Sequence, residues 1–137
     1  MPTQTELAWT AGFFDGEGSI TISPRGNTHY LKVGATQRDI RPLLKIQEWF
    51  GGSVGSPYGN GVRNYSVGNA AAGVFLETIR PYLVVKAEQA DVALQFQSRR
   101  SRADGRRVMS PEEDAADRQR IFDIRAELGL QPKQNRR

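Results

Sequence analysis

Hydrophobic and polar positions change their spacing several times along this chain, and each change marks an element. The apolar stretch ending at Phe14 predicts a first helix over about residues 5–14. From Ser19 to Ser23 the pattern alternates instead, with Ile20 and Ile22 on one side and Thr21 and Ser23 on the other. Pro24-Arg25-Gly26-Asn27 supplies a turn, and a second alternation sets Leu31, Val33 and Ala35 against Tyr30, Lys32, Gly34 and Thr36. The two runs predict a hairpin with one apolar and one polar face. Asp39 is placed to cap a helix over about residues 40–50, with Pro42 tolerated in its first turn and Gly51-Gly52 ending it.

A weaker, glycine-rich strand pair is predicted at about residues 53–56 and 63–67, and Asn69 is placed to cap a helix through Ile79. Pro81 breaks that helix, and another is expected over about residues 83–97. Residues 98–107 read as a basic polar loop. Ser110-Pro111-Glu112-Glu113 is a capping box with proline at the first helical position, so a last helix should run to about Leu128, with Gly129 beyond it. The order α-β-β-α-β-β-α-α predicts an α+β fold: one domain over residues 1–130, helices layered on a four-stranded antiparallel sheet. The tail 131–137 is expected to be disordered.

Composition narrows the chemistry. A chain of 137 residues is long enough for a sizeable core. No apolar run suits a membrane span and no signal-peptide pattern opens the chain, so no membrane partner is expected. Cysteine is absent and His29 is the one histidine, which excludes cysteine-based zinc sites and a histidine-rich nuclease centre. Any metal must rest on carboxylates and backbone oxygens, donors that suit Mg²⁺ or Ca²⁺. A net charge of +4 and a sequence pI near 9.8 fit a polyanionic partner. Lys32, Lys45, Lys86 and Lys133 are the only lysines. The arginine bias fits bidentate phosphate and guanine contacts, and fits equally the codon usage of a GC-rich genome. Five arginines at 99, 100, 102, 106 and 107 against Asp104 concentrate the net charge in the basic loop. That loop reads as a clamp on phosphates, with a merely solvated loop as the alternative.

The most informative run is Thr10-Ala11-Gly12-Phe13-Phe14-Asp15-Gly16-Glu17-Gly18, where the first helix stops at a turn carrying carboxylates. Gly12 and Gly16, four apart, share a helix face on which a second helix can approach almost backbone to backbone. Gly16 and Gly18 suit the backbone angles of a tight exit. Asp15 and Glu17 sit at the negative end of the helix dipole, a placement that a bound cation would relieve.

This run resembles the signature helix of the LAGLIDADG homing endonucleases, with Thr10 in place of the leading leucine. The resemblance extends over about residues 7–128, through Thr36-Gln37-Arg38-Asp39-Ile40-Arg41, through Pro81-Tyr82-Leu83-Val84-Val85-Lys86-Ala87-Glu88-Gln89-Ala90, and through Ser110-Pro111. It implies the family fold, a saddle-shaped antiparallel sheet following the DNA major groove. It also implies a catalytic set: Glu17 as metal ligand assisted by the Gly16 carbonyl, Gln37 orienting water, and Arg41 and Lys86 around the scissile phosphate. The metal it implies is Mg²⁺, with Ca²⁺ as a non-cleaving substitute. Each residue has a plainer alternative: Lys86 as a snorkelling lysine, Gln37 as a strand-end hydrogen bonder, Arg41 as a partner of Asp39 or Glu48. Asp15 is read as a buttress of the helix end. Glutamate at 17, where the family more commonly has aspartate, is one methylene longer.

On the polar sheet face, Thr21, Ser23, Arg25, Thr28, Tyr30, Lys32, Gly34 and Thr36 are expected against DNA, with Ser53, Gly55, Arg63, Asn64 and Ser66 on or beside it, and Arg99, Arg100 and Arg102 on the backbone. A single motif implies that two chains complete the site. A homodimer is therefore expected through Leu7, Ala8, Ala11, Gly12, Asp15 and Gly16, making a staggered double-strand break in a long near-palindromic target. Two rivals keep the scaffold: a maturase that binds intron RNA, and a non-cleaving DNA-binding regulator. Without a targeting signal the chain is expected to act where it is made, in a bacterium or phage host or in an organelle.

Overall fold

The computed structural model describes residues 1–26, 28–56, 59–100 and 111–129. Helix α1 (Gln4–Glu17) starts at a capping box in which the Thr3 hydroxyl accepts from Glu6 N–H and the Glu6 carboxylate accepts from Thr3 N–H. Strands β1 (Gly18–Arg25) and β2 (Thr28–Gln37) follow, then α2 (Ile40–Phe50), β3 (Ser53–Gly55), β4 (Arg63–Gly68) and α3 (Asn69–Ile79). A 3₁₀ turn over Arg80–Tyr82 leads to α4 (Ala87–Arg100), and α5 is Pro111–Glu127. The sheet is antiparallel throughout, in the order β1-β2-β4-β3. Among the described residues no helix is long and apolar enough to cross a membrane.

The alternation read from the sequence sets the two faces of this sheet. Ile20, Ile22, Leu31, Val33, Ala35, Tyr65 and Val67 are buried under the helices. Phe75 of α3 is the hub of the core, in edge contact with Phe14 (ring centroids 5.3 Å) and Phe50 (4.8 Å). The opposite face carries no helix, and its residues fall into rows across the strands: Thr36–Asn64–Gly55, Ser19–Gly34–Ser66–Ser53, Thr21–Lys32–Gly68, Ser23–Tyr30 and Arg25–Thr28.

The structure moves several boundaries. The hairpin is longer than its pattern, because Pro24 and Arg25 still pair with His29 and Thr28, which leaves Gly26 in the turn at φ 58°. Pro24 is tolerated because β1 is an edge strand. Helix α1 keeps Asp15-Gly16-Glu17 within its last turn and exits through Gly18 in an extended conformation, so neither Gly16 nor Gly18 serves through a left-handed angle. Gly18 is needed for space: a Cβ there would lie 2.2 Å from the Phe14 ring. Asn69 does not cap α3 through its side chain; it is the first helical residue, at φ 58°. The helix expected from residue 83 begins four residues later, because Val84 and Lys86 give their N–H groups to a carboxylate of α1.

Candidate active site

Asp15 and Lys86 hold each other twice. The Asp15 carboxylate accepts the backbone N–H of Val84 (2.9 Å) and of Lys86 (2.9 Å), and Lys86 Nζ donates to the Asp15 carbonyl at 2.6 Å. Asp15 thereby caps the start of α4 from another helix, while the ammonium of Lys86 sits on the negative end of α1. Part of the dipole penalty of an acidic helix end is thus relieved by a cation of the chain itself. Lys86 is buried, and burial pulls its ammonium below the ordinary lysine range; Asp15 and Glu17 push it back up, and Arg125 adds to the lowering.

With Asp15 engaged in this latch, Glu17 is the exposed carboxylate at the end of α1, with no hydrogen bond or ion pair among the described residues. Gly16 is also exposed, and the carbonyls of a final helical turn lack their usual donors. One carboxylate and helix-end carbonyls are the hard oxygen donors that Mg²⁺ or Ca²⁺ takes. Among the described residues no group of three or more acidic or histidine side chains is placed to hold a metal ion.

Gln37 ends β2 at the same end of the sheet as Glu17, since Gly18 pairs with Ala35. Its side-chain oxygen accepts the N–H of Arg38 at 3.0 Å. Arg41 stands in the first turn of α2, where its guanidinium is engaged with Asp39 through Nε (2.9 Å) and Nη2 (2.5 Å). This pair holds the Asp39 carboxyl down at about 2. The plainer reading of Arg41, as the partner of Asp39, describes its position.

The helix-free sheet face carries Thr21, Ser23, Arg25, Thr28, Tyr30, Lys32, Gly34, Thr36, Ser53, Asn64 and Ser66, as the alternation predicts. Arg25 lies over the Tyr30 ring at 4.3 Å. Arg63 is different: it has the parity of Tyr65 and Val67, so it stands on the helix side of the sheet, exposed at the strand end beside Gln37.

Arg99 and Arg100 also correct their expectation. They form the last turn of α4, not a loop, and are turned onto the acidic start of α5. Arg99 pairs with Asp114 (3.1 Å) and Asp117 (2.6 Å), and Arg100 pairs with Asp114, which is buried. Their charge neutralises α5 and is not presented outward. Arg102 and the rest of the basic segment 101–110 lie outside the described residues, as does the tail 131–137.

On α1 the residues expected at an interface divide into two sets. Ala8, Gly12 and Gly16 form one exposed stripe, and a Cβ at Gly12 or Gly16 would meet nothing within 4 Å. Ala11 is fully buried, Leu7 packs against the core, and Asp15 is committed to Lys86, so these three face inward. Beside the stripe, Trp9 stacks on Phe13 (5.6 Å) and meets Trp49 edge-on (6.2 Å). Thr10 is buried, with its hydroxyl satisfied by the Glu6 carbonyl at 2.8 Å. Sequence reasoning passed over Gln89 and Arg125, which the fold brings in behind Lys86. The available signal was the spacing Ile121, Ile124, Arg125, which puts the arginine on the buried face of α5.

A helix ending in carboxylates, latched to a buried lysine and followed by a sheet with one open face, defines a class that the comparisons identify. Residues 10–91 match the family described as LAGLIDADG endonuclease, and the chain belongs to that family. Its architecture is that of the single-motif members. The structure is similar to the homing endonuclease I-CvuI, solved with the I-CreI target in the presence of Mg, at a TM-score of 0.67 and 24% identity, over 98% of this chain and 87% of that one. It is similar to the archaeal intron-encoded homing endonuclease I-Vdi141I, complexed with DNA, at 0.64 and 18% identity, over 97% and 87%. The meganuclease I-SmaMI, bound to uncleavable DNA, matches at 0.60 and 17% identity, over 94% of this chain but 45% of its own length. At these identities the likeness is one of fold. The comparison with curated proteins gives no match.

Proposed function

We propose that this chain is a homodimeric, divalent-metal-dependent endonuclease that makes a staggered double-strand break in a long, near-palindromic DNA site. The observation carrying the reading is the end of α1, where the exposed Glu17 carboxylate and the pinned Lys86 ammonium flank a glycine stripe with no partner among the described residues. Helix-interior glycines cost about 1 kcal/mol each relative to alanine, and among the described residues nothing packs on Gly12 or Gly16 to offset that cost. A second copy packing across Ala8, Gly12 and Gly16 offsets it and brings two Glu17 carboxylates together. Val84 and Val85, exposed beside the helix end, extend the apolar rim of that contact.

Glu17 and the Gly16 carbonyl are the groups that would hold the metal. Bound there, Mg²⁺ supplies an activated water and positive charge for the developing phosphorane; Ca²⁺ supports binding without cleavage. Lys86 directs its charge toward the phosphate from a fixed position, because both its backbone and its side chain are tied to Asp15. Gln37, at the sheet end, orders water beside Glu17, and Arg41 adds charge when its exposed pair with Asp39 opens toward phosphate. The open sheet face reads the major groove with small polar side chains, and with Arg25, Tyr30 and Lys32 on the rows farther from Glu17. Both residues that a non-cleaving regulator would be expected to have lost, Glu17 and Lys86, are present.

The test is cleavage of a randomised duplex library with Mg²⁺, run beside Glu17→Gln and a sizing experiment. Discrete cuts at a near-palindromic site, absent with Glu17→Gln while the dimer persists, are expected. Cuts that survive in Glu17→Gln overturn the site, and a monomer bound to its target overturns the assembly.

A further inference from the structure

Arg125 is a half-buried cation that the mechanism above does not use. From α5 its Nη2 donates to the Ile20 carbonyl of β1 at 2.5 Å, and its Nε reaches Gln89 Oε1 of α4 at 3.4 Å. Among the described residues it has no ion-pair partner. Gln89 is fully buried, and its Nε2 has no hydrogen-bond partner there either. Burying a guanidinium without an adjacent carboxylate is unfavourable, and a packing role alone would be met better by an aliphatic residue. Its guanidinium also lies over the Phe122 ring of its own helix at 5.8 Å, but the two groups it hydrogen-bonds are on other elements. Ile20 lies three residues beyond Glu17, and Gln89 lies one helical turn beyond Lys86.

We propose that Arg125 is a positioning residue of the cleavage centre, tying the start of β1 to the first turn of α4 so that Glu17 and Lys86 keep a fixed separation. This rests on the nuclease reading of the same site. The Asp15–Lys86 latch fixes that separation from the front, and Arg125 with Gln89 fixes it from behind. Burial pulls the guanidinium below its ordinary range, so the site retains a cation there against a real desolvation cost. Its positive charge also lies close enough to oppose that of Lys86, which favours keeping the ammonium toward the α1 carboxylates.

The experiment compares Arg125→Met, Arg125→Lys and Gln89→Met with the parent protein on the selected duplex. Target affinity is measured in Ca²⁺, and the single-turnover cleavage rate in Mg²⁺ at saturating protein. Arg125→Met is expected to bind within about threefold of the parent and to cleave at least about tenfold more slowly, with Arg125→Lys recovering part of the rate. An unchanged rate, or an equal loss of affinity and rate, overturns the proposal. If Arg125→Met does not fold, Gln89→Met, which removes the acceptor together with an amide nitrogen that has no partner among the described residues, must show the same split or the proposal fails.

A second readout needs no cleavage. With four lysines in the chain, a spectrum of ¹³Cε-labelled lysine has four signals, and Lys86→Arg identifies one of them. The Lys86 signal is expected to shift in Arg125→Met, because β1 and α4 are then no longer tied behind the Asp15–Lys86 latch. A Lys86 signal that stays in place in that variant overturns the proposal even if the parent protein cleaves no DNA.

Discussion

Asp15 and Glu17 are two carboxylates in one helical turn, and their surroundings give them different work. Asp15 is consumed by the latch to Val84 and Lys86, whereas Glu17 stays exposed. Replacing Asp15 with alanine strands two N–H groups and should cost about 2 kcal/mol in urea unfolding, with loss of cleavage at protein concentrations where the variant remains folded. Glu17→Gln should leave stability within about 0.5 kcal/mol, as for an exposed group with no hydrogen bond or ion pair among the described residues. Lys86 gives a signed pH dependence. Its folded-state pKa lies below the ordinary lysine value of 10.5, so between those two pH values the unfolded chain binds more protons than the folded one. Wild-type stability relative to Lys86→Met should therefore rise with pH through that window, and a falling difference would contradict the burial argument. The identity of these residues was legible in the sequence. The reciprocal nature of the Asp15–Lys86 contact was not, because it joins positions 71 residues apart in the chain.

The elements show where pattern suffices and where it fails. Alternation in β1 and β2 set the correct faces, because a strand has only two sides and the apolar one must be covered, whereas in β4, read without an alternation, Arg63 was put on the wrong one. The start of α4 was misread because Leu83-Val84-Val85-Lys86 looks helical, yet its N–H groups are taken by Asp15. Arg99 and Arg100 looked like a solvated clamp because their acidic partners follow only at Glu113, Asp114 and Asp117. Gly18 was expected to serve by its angles and serves by its lack of a Cβ. Gly18→Ala would press on the buried Phe14 ring and should cost about 1–3 kcal/mol in chemical denaturation. Tyr65, whose hydroxyl donates to the Gly51 carbonyl at 2.7 Å, is pushed up to about 12 by burial from an ordinary value of 10.0. Its folded pKa is raised, so its contribution holds below pH 10 and is lost as pH climbs from 10 toward 12. Tyr65→Phe should cost about 1 kcal/mol at neutral pH and flatten that alkaline loss.

At the scale of the whole molecule, the described residues carry one acidic helix end, one open sheet face, and one glycine stripe without a neighbour among them, which the proposed reading takes as halves of a two-chain site. Family membership accounts for the fold, and the exposed stripe argues for the second copy. Gly12→Leu should leave the protomer folded, since no described residue lies within 4 Å of the added Cβ, while sedimentation shifts to the monomer. The most direct test of the claim that cleavage needs two Glu17 residues is a doping series. Wild-type and Glu17→Gln chains are co-expressed at set ratios, and double-strand breaks are measured at constant total protein with Mg²⁺. If each dimer needs a Glu17 from both copies, breaks fall as the square of the wild-type fraction. A linear fall would mean that one chain suffices, and the two-chain site would be wrong.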